Sequence, residues 1–111
     1  MSIRDDRTVT LLVEQAAAYI AREAGRETLI TPTRAVLSKD GKQATIYVSV
    51  FPSDETEHAL NFLLRHKDLF RNYLKKTTRL GRLPYIRFEF DRGEANRQHL
   101  DGITLPEPGV E

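Results

Sequence analysis

Cysteine is absent from the 111 residues, so disulfides, thiolate metal sites and a cysteine nucleophile are excluded, and stability must come from packing. Long apolar runs are absent too. No uncharged stretch approaches the roughly 20 residues that span a bilayer. Two aspartates and a glutamate interrupt the opening MSIRDDRTVTLLVEQAAAYI where a signal peptide would be continuously apolar. A soluble, cytoplasmic protein is expected, with no membrane partner. The chain also lacks a Gly-rich loop ending in Lys-Ser/Thr and a Gly-x-Ser-x-Gly elbow. Its histidines, His58, His66 and His99, show no chelating spacing; the first two stand eight residues apart, too far for a helical i, i+4 pair. Neither catalysis, nor a metal, nor a cofactor, nor a small-molecule substrate is expected.

What is present is charge, unevenly spread. The net charge of +1 hides a division along the chain. Residues 1–58 hold seven Lys/Arg and nine Asp/Glu, residues 65–87 hold eight and one, and residues 88–111 hold two and six. One basic segment therefore lies between acidic flanks, a pattern that points to a localised anionic partner. Within it, RHKDLFRNYLKKTTRLGR places Lys67, Arg71, Lys75 and Arg79 four residues apart. On a helix these form one column of like charge, each pair costing roughly 0.2–0.5 kcal/mol unless an anion offsets it.

Length allows one domain, with residues 5–92 as the folded unit and the acidic, Pro- and Gly-containing 93–111 as a loose tail. Val9, Leu12, Val13, Ala16 and Ile20 mark one face of a first helix running from position 6 or 7 to 24, with Asp5 or Asp6 as its cap. From Leu29 to Val50 the period becomes two. LITPTRAVLS and QATIYVSV flank Asp40-Gly41, a tight-hairpin signal, and Pro32 assigns the first strand to an edge or a bulge. After Pro52, a helix capped by Ser53 is expected to bury Ala59, Leu60, Leu63 and Leu64; Phe62 lies off that stripe. A further helix carries Leu69, Phe70, Tyr73, Leu74, Thr77 and Leu80, and YIRFEFD then alternates as a last strand. The order is α-β-β-α-α-β. A three-stranded sheet with helices on one face satisfies every stripe and leaves Thr45, Tyr47, Arg87 and Glu89 on the other, which is an α+β sandwich.

This order, with Ser38-Lys39-Asp40 leading into Ala44-Thr45-Ile46-Tyr47-Val48-Ser49-Val50, then Phe70-Arg71 with Leu74, Arg79-Leu80, and Pro84 to Asp91, resembles the ribosome-binding factor A family. The resemblance covers most of positions 7–92. It implies a single type II KH-like domain and an assembly factor that binds the immature small (30S) ribosomal subunit, contacts 16S rRNA and assists rRNA processing and maturation, without catalysis or cofactor. At the family's helix kink, usually small-any-glycine, this chain has His66-Lys67-Asp68, where Asp68 can cap the following helix. Gly81 stands where the family often has arginine.

Most charge runs are solvated helix faces, but here acids do not intersperse the column, and Lys76 and Arg82 broaden it. RNA contact is the favoured reading, because Lys and Arg neutralising phosphates dominate nucleic-acid affinity. Arg71, Arg79 and Arg82 are assigned two-pronged phosphate grips, and Lys67, Lys75 and Lys76 act as mobile point charges. Lys39 and Lys42 in the hairpin turn form a second contact or simply solubilise it, as does Arg34. Tyr47 can stack on a base, and Arg87 either adds charge or pairs with Glu89. A monomer is expected. The alternative is a protein-interaction module whose basic face meets an acidic protein.

Overall fold

The computed structural model describes residues 3–25 and 28–91. The expected tail, 93–111, lies outside the described residues. Helix α1 (Ile3–Glu23) precedes strands β1 (Leu29–Leu37) and β2 (Gln43–Phe51). A short 3-10 turn, Ser53–Glu55, leads into helix α2 (Thr56–Thr77), and strand β3 (Tyr85–Phe90) follows. Strand order is β1-β2-β3, with β1 antiparallel and β3 parallel to β2. The α+β class, the three-stranded sheet and the order of helix, two strands, helical region and last strand are those the periodicities predict. Helix α1 begins at Ile3, earlier than expected, so Asp5 and Asp6 sit inside its first turn and complement the helix dipole instead of capping it.

The hairpin forms for local reasons. Gly41 takes φ +72°, a left-handed angle that side chains disfavour. Asp40 Oδ1 accepts from Ser38 Oγ at 2.7 Å and from the Lys42 amide at 3.0 Å, which together close the turn. Pro32 pairs with Val48 and the β1 register shifts between it and Arg34, so the proline sits beside a bulge on an edge strand, the setting that suits its missing N–H. On β2, Ala44, Ile46 and Val48 are fully buried, while Thr45 and Tyr47 between them are half-exposed.

One expectation changes. The two helical segments after Pro52 are a single uninterrupted helix, and Asp68 is an exposed interior residue of α2, not a cap. Fusion sets a single phase. At about 100° per residue, Ala59, Phe62, Leu63, His66, Phe70, Tyr73 and Leu74 share one face. Phe62 is accordingly buried, whereas Leu60, Leu64 and Leu69, expected in the apolar stripes, are 36%, 56% and 54% exposed. His66 hides this stripe from the sequence by occupying a core-facing position. It stacks on Phe62 with ring centroids 4.2 Å apart, and its Nδ1 lies 2.7 Å from the Tyr19 hydroxyl of α1, so a polar ring is accommodated between helices. Burial, reinforced by Glu23, raises the Tyr19 phenol above its ordinary value. Below it, Phe70 packs against the rings of Tyr19, Tyr73 and Phe88.

Candidate nucleic-acid interface

Because α2 is joined to the parallel strand β3 by the connector 78–84, its C-terminal end lies at the start of β3. The hairpin turn lies there too. The Tyr85 amide donates to the Lys42 carbonyl at 2.8 Å, and Tyr85 pairs in register with Gln43. Residues 33–43 positions apart in sequence thus converge at one pole: Lys39 and Lys42 from the turn, Lys75 and Lys76 from the last turn of α2, and Arg79 and Arg82 from the connector. All six are exposed, and none makes an ion pair among the described residues.

The helix end explains how lysines tolerate one another here. Thr78 donates both its amide and its hydroxyl to the Leu74 carbonyl, at 3.0 and 2.8 Å, and Thr77 Oγ1 donates to the Tyr73 carbonyl at 2.9 Å. Lys75 and Lys76 sit beside the remaining carbonyls, where the helix dipole favours positive charge. The carboxylate nearest in sequence to the turn lysines, Asp40, is held by hydrogen bonds from Ser38 and the Lys42 amide, which lower its pKa and keep it ionised. It therefore subtracts from the turn's positive charge without bridging to a lysine.

The column predicted along α2 is broken at Arg71. Its Nε donates to the Pro84 carbonyl and its Nη2 to the Leu83 carbonyl, each at 3.0 Å, and its guanidinium stands 4.9 Å from the Tyr85 ring centroid. The expected two-pronged phosphate grip is therefore corrected. The fork already clasps the main chain, because connector and strand return beside the helix and present two carbonyls with no strand partner. Arg71 is half-buried, in contrast to exposed Lys67 and Lys75 on the same flank. Lys67 lies about 12 Å up the helix from Lys75, and Lys76 projects about 100° away from that flank.

The outer sheet face carries the remaining assignments. Arg87 Nε meets Glu89 Oε2 at 2.8 Å, so of its two expected roles the pairing is the one seen. The Arg34 guanidinium lies 3.8 Å from the Tyr47 ring centroid, which covers one face of the proposed stacking platform. Arg34 also reaches Asp91 at 3.8 Å, and Thr33 Oγ1 donates to the same carboxylate. Tyr85, 69% exposed beside Arg71, was not singled out by sequence. Its outward position in the alternation of YIRFEF is the signal that points to it.

Among the described residues no group of three or more His, Asp or Glu side chains is placed to hold a metal, and no helix is long and apolar enough to cross a membrane. The sequence profile of the family described as Ribosome-binding factor A matches residues 4–104. The ribosome-binding factor A of Fervidobacterium nodosum is 35% identical over 88 residues, covering 75% of this chain and 70% of that protein. That of Kosmotoga olearia is 39% identical over 67 residues, 60% of this chain and 54% of the relative, so the match spans little more than half its length. The crystal structure of ribosome-binding factor A from Thermus thermophilus superimposes with a TM-score of 0.70 at 28% identity, over 80% of this chain and 98% of that one.

Proposed function

The chain belongs to the ribosome-binding factor A family, and from that premise we propose that it is an assembly factor that binds the immature 30S subunit through 16S rRNA and assists rRNA processing and maturation. One observation carries the placement of the contact: the Tyr85–Lys42 main-chain bond draws the hairpin lysines to the basic pole formed by the end of α2 and its connector. Two sequence-distant sets of unpaired cations on one solvent-facing pole suit a polyanion whose phosphates run along folded RNA. Lys39, Lys42, Lys75, Lys76, Arg79 and Arg82 are the contact residues, with Lys67 at the margin. Arg71 shapes the connector, and Arg87 and Tyr47 belong to the outer sheet face. Such a factor favours one rRNA arrangement only by binding it better than the competing one.

The test is rRNA binding by filter retention at several salt concentrations. Reversing Lys75 and Arg79 to Glu leaves the fold intact, because both side chains are exposed, and weakens binding. The logarithmic salt slope falls by about 0.7 for each lost single-strand contact. Unchanged affinity and slope would remove this pole as the interface. In gradient sedimentation of extract, the expected outcome is migration with free small subunits and not with translating ribosomes; nuclease-insensitive association with an acidic protein would instead support the interaction-module reading.

A further inference from the structure

Cations hold RNA by its phosphates, whereas an aromatic ring open to solvent adds a contact that only a base can make. Among the described residues two Phe or Tyr rings are mostly exposed, Phe51 at 71% and Tyr85 at 69%. Phe51 closes β2 at the end remote from the hairpin turn, paired with Leu29. Tyr85 opens β3 at the basic pole, where its amide donates to the Lys42 carbonyl at 2.8 Å. The Tyr85 ring is held in place. Its backbone is fixed by that bond and by pairing in register with Gln43. One ring face lies against the Arg71 guanidinium, 4.9 Å from the centroid, and that guanidinium is itself fixed on the Leu83 and Pro84 carbonyls. The high exposure leaves the opposite face to solvent. Tyr47 is the contrasting case. It is half-exposed and covered by Arg34, it pairs in register with Glu89, and Arg34 reaches the Asp91 carboxylate, so its surroundings are anionic or neutralised. Glu89 lies four residues along β3 from Tyr85, about 13 Å away. The charges beside Tyr85 are instead Lys42, one residue before its strand partner, and Lys75, one helical turn beyond Arg71 on the same flank.

We propose that Tyr85 is the stacking platform of the interface and that the RNA element it takes is an unpaired nucleotide, with Lys42 and Lys75 on the flanking phosphates. This platform, which rests on the RNA-binding reading of the basic pole, adds a base contact to the phosphate contacts already assigned. Within a duplex each base face is covered by its neighbours, so only a loop, a bulge or a single-stranded end offers a face to the ring. Stacking accepts any base, because each has a π-face. The contribution of the ring is therefore confined to unpaired RNA and is not tied to one sequence. Preorganisation makes it effective: a ring whose backbone and rear face are already fixed loses little freedom when the base arrives. Arg71 serves the site as a positioning residue, holding the ring from behind while it clasps the connector.

The test compares three probes on the full chain: a single-stranded RNA oligonucleotide without self-complementarity, an abasic strand of the same length, and the oligonucleotide annealed to its complement. Y85A loses about tenfold in affinity for the base-bearing single strand, with an unchanged salt slope because no charge is removed. It binds the abasic strand and the duplex as wild type does, which also shows that it is folded. Y85F and Y85W retain affinity for the single strand. Because the chain has no tryptophan of its own, the emission of Y85W reports on the site directly: the base-bearing strand quenches it and the abasic strand does not. A Y85A chain that holds the base-bearing strand as tightly as wild type, or that loses equally on all three probes, overturns the proposal. The doubly reversed K75E/R79E chain separates the two readings. If it binds weakly while Y85A binds normally, stacking fails and the basic pole stands; if it binds every probe as wild type does, the pole itself falls and the stacking site with it.

Discussion

Replacing Arg71 with Ala separates a structural brace from a phosphate clamp. The side chain donates two charge-assisted hydrogen bonds to the Leu83 and Pro84 carbonyls and lies over Tyr85. Hydrogen bonds to charged groups contribute about 1.5–3 kcal/mol each when sheltered. Arg71 is half-buried, so water screens the charge and rehydrates the freed carbonyls, and each bond falls below that range, to about 1 kcal/mol. With roughly 0.5 kcal/mol from the contact with Tyr85, the expected loss is about 2–3 kcal/mol. For a domain of this size that corresponds to a fall of about 10–20 °C in Tm. Urea denaturation measures it directly. Arg71→Lys recovers less than half, because a point charge cannot bridge two carbonyls as a planar fork does. The salt slope of rRNA binding stays the same in the brace reading. Arg79→Ala gives the converse, with unchanged stability and a shallower slope. A loss below about 0.5 kcal/mol on removing Arg71, together with a shallower slope, would refute the brace.

Three further outcomes follow from the packing. Phe70→Ala, at a residue 1% exposed, costs about 3–5 kcal/mol, whereas Leu69→Ala beside it, 54% exposed, changes stability by less than about 0.5 kcal/mol; equal costs would contradict the helix phase. Gly41→Ala meets no steric obstacle but must hold φ +72°, so it costs about 1 kcal/mol from the backbone alone, and Asn at that position costs less. Asp40, held below its ordinary value of 3.8, supports the turn above that value and loses this contribution as pH falls through its lower folded value. Ser38→Ala removes the largest cause and moves the midpoint up, which carboxyl NMR titration reads out.

Period was the dependable signal and phase was not. Alternation in QATIYVSV and YIRFEFD sufficed to place Ala44, Ile46, Val48 and Ile86 inward, and Asp40-Gly41 sufficed to place the hairpin. Leu60 and Leu64 fit an apolar stripe only if the helical region is two short helices, each with its own phase. A continuous α2 admits a single phase, and His66 on its buried face supplied no apolar mark to show it. Charge was legible in amount but not in availability. Seven exposed candidates, from Lys39 to Arg82, kept their freedom, while Arg71, alike in sequence, found two carbonyls from the returning chain.

The sequence alone determined which segments are strands and helices, because side-chain period and turn chemistry act over a few residues. It also determined that positive charge would be concentrated near the end of the second helix. Only the tertiary structure decided which face of that helix is buried, that the hairpin turn joins its basic end, and which arginine is engaged by main chain. Those outcomes depend on groups distant along the chain meeting in space, where a carbonyl without a strand partner captures the donor that reaches it first.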